Sequence, residues 1–508
     1  MKYFYSKGAF LVLIWMCLLG ITSWSYFKMY DTLFQGIEDV GNYSQFGLVP
    51  IIPLLFLAPF AGWLADARFG NFKVFRAGCY LLFIASLMAC ISVLILESSE
   101  LKQSTMLLHF ISGGVAPIVY GIWIIGLIAC FVTALELGLD QMPEASTSNT
   151  TSFIAWFQIS LSTGLWISDS LHTILLECTT NSWMVQLMSS LPIICTSISC
   201  CTMFLLAKKW LVIEPNTTKA LKTIYQVLKF AAKHKAPIYR SALTYWEENV
   251  PSRLDLGKTK YGGPFTTEQV EDVKTFFKIL IVLTPLVAVF SATTSIQTVW
   301  YWDHTNSSCS SVLIYGFGYS PWWTGIVTMI AYEIIIYPFV KNRLPSTLKR
   351  IGFGSFCVLL SNTAYFIIIA IEEFHYGVNI TSGRSWLYMI YCAFFGVLSN
   401  FTILVMFQFV CAQSPYRVRG LLAGYAICLF TVSISLGIIV LFLFNYICES
   451  QYCSLIQALF SIILALIGFI MYCLLARWYK WRVRDEDYNA HRVVEEVYNR
   501  YLASPTIN

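Results

Sequence analysis

The sequence predicts an all-α membrane protein: twelve transmembrane helices in two bundles of six, with both ends of the chain on the cytoplasmic side. Three observations carry that reading. Of 508 residues, 57% are hydrophobic and only 12% charged, and the mean hydropathy is +0.65, more apolar surface than a water-soluble core can hide. The apolar residues gather in twelve runs near the roughly 20 residues that a helix needs to cross the hydrocarbon. The cations are also one-sided: of 33 Lys and Arg, all but Lys28, Lys102 and Arg384 fall on the inner side when both ends are inside.

The predicted spans are 8–29, 46–66, 74–97, 112–138, 152–175, 184–207, 276–300, 320–340, 352–373, 386–410, 419–445 and 455–477. The first run lacks a small-residue cleavage site and continues into Trp24 and Tyr26, so it reads as a helix and not a signal peptide. Six spans fill residues 1–207, a polar cytoplasmic linker occupies 208–275, six more spans fill 276–479, and a charged cytoplasmic tail runs over 480–508. The linker holds an amphipathic run from Leu221 to Ala232, a loop rich in Pro, Gly and charge around Pro251–Pro264, and a helix start in which Thr266 or Thr267 is the cap. In the tail, Val493, Val494, Val497 and Tyr501 share one face, as in a surface helix.

The glycosylation sequons at Asn42, Asn306 and Asn379 all fall in loops that this topology places outside, whereas those at Asn149 and Asn216 fall inside. The 16 cysteines sit mostly singly within apolar spans, as ordinary small buried groups. Cys448 and Cys453 flank a short outer loop and can close a local disulfide. No metal site, cofactor motif, phosphate loop or nucleophile elbow is present, and the six histidines are isolated, so an enzyme is not expected. The net charge of +5 is spread over short inner loops, which reports membrane orientation and not nucleic-acid binding.

The most informative segment is the turn from Gly62 to Arg76 between the second and third spans. Gly62 and Gly70 are expected to permit close backbone approach, Asp66 to end the first helix, and Arg68, Lys73 and Arg76 to supply inner cations. Asp66 is expected to accept hydrogen bonds from a neighbouring helix N-terminus, that of the eleventh span near Val418, and to pair with Arg68 or Arg76. This turn resembles the loop between the second and third helices of the major facilitator superfamily, in the version found in the proton-dependent oligopeptide transporter (POT/PTR) family. Further segments resemble that family in order: Gly138-Leu-Asp-Gln141, Thr267-Glu-Gln-Val-Glu-Asp-Val-Lys274, Glu333-Ile-Ile-Ile-Tyr-Pro338 leading to Leu348-Lys-Arg-Ile-Gly-Phe-Gly354, and Phe409-Val-Cys-Ala-Gln-Ser-Pro415.

The resemblance implies a carrier that moves a small solute by alternating access, with family members taking up di- and tripeptides, nitrate, histidine or other metabolites, usually with protons. It also implies an inner gate at Gly62, Asp66, Arg68, Gly70, Lys73 and Arg76. The chain departs from the family where peptide carriers hold their charged groups. Trp15-Met-Cys-Leu-Leu-Gly20 stands in place of the first helix's Glu-rich motif, Phe131 in place of the fourth helix's lysine, and Ser399-Asn400 near the tenth helix's glutamate.

A charge near the bilayer centre is expensive, so an acid within a span is a functional candidate. Glu333, about midway along the eighth span, can carry a proton, bind a substrate cation, or pair with a polar group between helices. Glu136 and Asp169 lie closer to span ends and are expected to reach water. Trp156, Gln158, Ser160 and Ser162 in the fifth span, Gln297 and Trp300 in the seventh, and Ser399, Asn400, Thr402 and Gln408 in the tenth offer a neutral pocket, although such residues also serve as glue between helices. The expected partners are therefore a small-molecule substrate, protons and the lipid bilayer, in the plasma membrane or an endolysosomal membrane. The alternative is a transport-inactive receptor or scaffold that acts through the linker and tail.

Overall fold

The computed structural model describes residues 6–35, 57–97, 114–142, 147–172, 182–212, 220–235, 251–293, 321–340, 345–374, 394, 399–415, 418–447 and 453–481. Helices α1 (Lys7–Gln35), α2 (Leu57–Leu64), α3 (Asn71–Glu97), α4 (Ala116–Leu139), α5 (Thr147–His172) and α6 (Ser182–Trp210) precede a linker helix, α7 (Ala220–Lys233). After it come α8 (Thr267–Leu283), α9 (Pro321–Ala331), α10 (Thr347–Phe374), α11 (Val405–Gln413), α12 (Arg419–Ile447) and α13 (Cys453–Trp478). Wider π-helical turns extend three of these: Ala65–Phe69 after α2, Tyr332–Ile336 after α9, and Ser399–Leu404 before α11.

Among the described residues, eight helices are long and apolar enough to cross a membrane, and described helix overlaps every predicted span. The second, fifth, eighth and tenth predicted spans are not among the eight. The fifth is long enough, but Ser, Thr, Gln and Asp dilute its apolar character, while Gly325–Val340 and Thr402–Gln413 are shorter apolar pieces. The seventh starts nine residues earlier than its predicted 276, because Thr266 caps α8 at Thr267. Its hydroxyl accepts the Gln269 N–H at 3.3 Å, and Gln269 Oε1 returns a bond to the Thr266 N–H at 3.1 Å, a reciprocal capping box. Apart from residues 480 and 481, the tail lies outside the described residues.

The first six helices pack through α3 against α4 and α1 against α5. Trp15 of α1 is buried on Phe75 of α3, ring centroids 5.1 Å apart, and donates its indole N–H to Thr202 Oγ1 of α6 at 2.9 Å. Tryptophan is accommodated in a core when its one donor finds an acceptor. On the outside, α13 presents Ile463, Ile467, Ile470 and Leu474, each about half exposed. Such an apolar stripe is at home against lipid tails, and the chain is an integral, multi-pass membrane protein.

The linker is built and not merely connecting. Val227 of α7 is fully buried against Val270 and Val273 of α8, while Lys222, Lys229 and Lys233 point outward. Between them the loop folds on itself: Thr259 N–H donates to Phe265 O at 2.9 Å, and Phe265 N–H to Gly257 O at 3.0 Å. Lys258 pairs with Asp255 at 2.5 Å and with Glu271, and Lys274 pairs with Asp255 at 2.6 Å. Burial alone would raise the Asp255 carboxyl, but hydrogen bonds from Lys258, Lys274 and Ser252 outweigh it and hold the group well below its ordinary 3.8. Burial alone would lower Lys258, and its bonds to Asp255 and Glu271 instead raise it above 10.5.

The depressed acid contributes stability above its unfolded value and loses it as pH falls, while the raised lysine contributes below its unfolded value and loses it as pH rises. Protease cleavage in 251–265 is therefore expected to stay constant from about pH 5 to about pH 9, and to increase below about pH 4 as Asp255 titrates. Limited proteolysis of the detergent-solubilised protein checks this.

Candidate functional site

The two parts of the chain on either side of the linker meet most tightly where α2 crosses α12. A Cβ at Gly62 would lie 2.1 Å from the Gly420 carbonyl oxygen, and one at Gly424 would lie 2.4 Å from that of Ala58. The two backbones therefore touch, which no larger residue allows at Gly62. One turn further on, Asp66 is 8% exposed, and its Oδ2 accepts the Leu421 N–H at 3.0 Å. This is the N-terminal contact expected of Asp66, since α12 begins at Arg419 and leaves its first amides without partners in the helix.

Three expectations for this turn are corrected. Asp66 does not end its helix: the π-helical turn carries it through Phe69, where the Gly70 N–H closes onto Ala65 O at 2.9 Å. Gly70 serves the turn through its φ of 82° and not through close approach, because a Cβ there would meet nothing within 4 Å. Arg68, Lys73 and Arg76 are exposed, with the Arg76 guanidinium 5.8 Å from the centre of the Phe72 ring. Among the described residues, a cation that acts on Asp66 is Arg419.

One of the two acids near span ends also differs from expectation. Glu136 is only 5% exposed and lies beside Asp66, because the close approach of α12 seals the C-terminal end of α4 away from water. Asp169 is half-buried and accepts the Trp24 indole N–H at 2.8 Å.

The second meeting place joins α5 to the helices beyond the linker. Glu333 is 1% exposed within its π-helical turn and accepts a short hydrogen bond from Ser152 Oγ of α5. Gln408 of α11 reaches Thr151 O at 3.4 Å, and nearer the other end Trp166 stacks on Trp323 with centroids 4.9 Å apart. Going from Ser152 to Trp166 along α5 means going from Glu333 back to Trp323, so the two helices lie antiparallel along much of their length. Beside Glu333, Tyr332 takes a bond from Arg350 Nη1 at 3.4 Å. π-Helical turns are frequent at functional sites, and here they coincide with Asp66, Glu333 and the Ser399–Leu404 segment.

Of the expected pocket residues, Trp156, Gln158 and Ser160 are half-buried on α5, and Ser162, Thr402 and Gln408 are buried. Ser399 and Asn400 fall on the π-helical turn before α11. Gln297, Trp300, Asn42, Asn306, Asn379 and Cys448 lie outside the described residues, so the sequons and the Cys448–Cys453 pairing are not placed. The Cys453 thiol donates to Phe444 O at 3.4 Å. Reading the sequence missed the involvement of Glu136 and Arg419. The available signal was Arg419-Gly420 at the start of the eleventh span, a cation followed by a residue small enough to admit two carboxyl groups.

No family profile matches the sequence. The fold, however, matches solved transporters along nearly the whole chain. An in meso crystal structure of the POT family transporter PepTSo superimposes with a TM-score of 0.62 at 14% identity, covering 93% of this chain and 99% of that one. A POT family transporter in complex with 5-aminolevulinic acid gives 0.57 at 12% identity, with 92% and 97% covered. FucP, a major facilitator superfamily transporter in the outward conformation, gives 0.56 at 11%, with 94% and 99% covered. At such identities the likeness is one of fold.

Proposed function

We propose that the chain is a secondary active transporter that moves a small solute across its membrane by alternating access. The observation that carries this is the Asp66–Leu421 contact: two residues 355 apart in sequence join the two parts of the chain at one end, in a fold shared with POT family and other major facilitator transporters. Secondary transporters of this build place their substrate between two bundles and rock one against the other.

In this reading twelve helices form two six-helix bundles, residues 1–207 and 276–479, joined by the 208–275 linker, with both termini and the 480–508 tail in the cytoplasm. The α2–α12 junction is then the inner gate: Gly62 permits the closure, Asp66 latches it, and Gly70 shapes the turn that carries Arg68, Lys73 and Arg76. Glu333, with Gln158, Ser399 and Asn400, is the polar surface offered to the solute or its proton. One structural neighbour is described in complex with 5-aminolevulinic acid, a small solute bearing an amine and a carboxylate. Di- and tripeptides are accordingly the first class to try.

Proteoliposomes holding the purified protein are expected to accumulate a labelled dipeptide above an Asp66→Asn control. The same comparison with labelled nitrate and histidine extends the search. No accumulation of any of the three, with the protein shown to be folded, would remove these substrates and leave the receptor or scaffold reading.

A further inference from the structure

The start of α10 holds a buried cation with no anion to meet. Arg350 is 9% exposed, and among the described residues its guanidinium has one hydrogen-bond partner, the Tyr332 hydroxyl, which Nη1 meets at a long 3.4 Å. Its Nε is buried without an acceptor. No carboxylate among the described residues pairs with it, and the nearest acid along the chain, Glu333, takes the Ser152 hydroxyl instead. Residues 341–344, which lie outside the described residues, read Lys-Asn-Arg-Leu and bring no acid wherever they run. Between Glu333 and Glu372 the chain carries Lys341, Arg343, Lys349 and Arg350 and no acid at all. Buried charges are as a rule paired, because an unpaired one keeps the full cost of leaving water.

Further donors gather at the same turn. α10 begins at Thr347, so the N–H groups of Thr347, Leu348 and Lys349 have no acceptor one turn back in the helix, and the Arg350 N–H is the first to close, on Ser346 O at 3.1 Å. The Thr347 hydroxyl is buried without a partner as well. A long side chain on a helix leans back over the turn before its own Cα, so Arg350 lies over the turn that carries Thr347 and these amides. A guanidinium, a hydroxyl and the positive end of a helix thus meet with no acceptor between them.

We propose that this turn binds a phosphate group: the Arg350 guanidinium takes its oxygens as a fork, and the Thr347 hydroxyl and the open amides take the rest. Two sources carry that chemistry, the headgroup of an anionic phospholipid and a free phosphate ion. Position favours the lipid. α10 is among the helices long and apolar enough to cross a membrane, and Thr347 opens that span, so the site lies at headgroup level. Phe353, one turn beyond Arg350, and Phe339, two turns beyond Tyr332, are 52% and 84% exposed, apolar surface suited to an acyl chain. The site does not rest on the transport reading.

The test titrates full-length protein in detergent with dioctanoyl phosphatidylglycerol, dioctanoyl phosphatidylcholine or inorganic phosphate, and follows amide exchange in peptides covering 345–353. The amides of 347–349 stay open until an anion covers them. Saturating phosphatidylglycerol is expected to slow their exchange about tenfold, as a charge-assisted hydrogen bond would. Phosphatidylcholine, which has no net charge, should protect them far less. Arg350→Gln removes the charge and should abolish the protection, while Arg350→Lys keeps the charge without the fork and should fall in between. Thr347→Val keeps the shape of the side chain and loses only the hydroxyl, so it should weaken binding about fivefold with an unchanged thermal midpoint.

Protection by phosphatidylglycerol and not by inorganic phosphate identifies the lipid as the source, and the reverse identifies a free ion; either supports the site. Protection by neither, or protection that Arg350→Gln leaves intact, overturns the proposal. If Arg350→Gln does not fold, Thr347→Val decides: an affinity equal to that of the wild type overturns the site, and a weaker one supports it.

Discussion

Gly62→Ala is expected to hold the α2–α12 crossing apart while the protein stays folded. The new methyl would sit 2.1 Å from the Gly420 carbonyl oxygen and 2.9 Å from the Leu421 nitrogen. Both are backbone atoms, and no rotamer change moves them aside. Forcing extra volume into such a contact costs about 1–3 kcal/mol, a shift of roughly 5- to 150-fold in the closed population. With the crossing parted, the same alanine favours its helix by about 0.5–1 kcal/mol over glycine.

The result should be faster amide exchange in 57–66 and 418–425 with an unchanged or raised thermal midpoint. Gly164→Ala is the contrast. Its methyl would lie 2.1 Å from Cys17 O and 3.0 Å from Gly20 Cα, on α1, in the same group of six helices. That clash is present in every arrangement of the two parts, so the thermal midpoint should fall. If both substitutions lower the midpoint alike, the α2–α12 crossing is a fixed contact and not a gate.

What the sequence revealed here divides along a physical line. Apolar runs and turn residues are local, and they marked described helices at every predicted span and a cap at Thr266 or Thr267, which the structure places at Thr266. The misplaced ends at Asp66 and at residue 276 have a common cause. A helix does not stop where its apolar stripe stops: a π-helical turn carries α2 past an acid, and a capping box starts α8 in the polar linker. Glu136 and Arg419 were illegible for a different reason. Proximity to a span end suggests water, but burial at that end depends on which other helix arrives there, and α12 joins from almost 300 residues away. The fold is shared with known transporters although identity is 11–14%.

Ser152→Ala is expected to weaken closure between α5 and α9 more than Glu333→Gln does, although Glu333 is the acidic partner. Removing the hydroxyl leaves a carboxyl that is 1% exposed without its Ser152 donor, and an unsatisfied buried polar group costs about 1–3 kcal/mol. Glutamine keeps an acceptor for Ser152, so a neutral bond of about 0.5–1.5 kcal/mol remains. Replacing both partners with apolar groups, as Ser152→Ala with Glu333→Leu, should restore much of the closure, since nothing buried then lacks a partner. The double-mutant cycle is thus strongly non-additive, with exchange of the α5 and α9 amides as its readout. Uptake need not follow. If Glu333 only clamps the two helices, the doubly apolar protein should transport as well as it closes. If Glu333 also meets the solute, that protein closes normally and still loses accumulation of the labelled substrate, because leucine offers no charge and no acceptor.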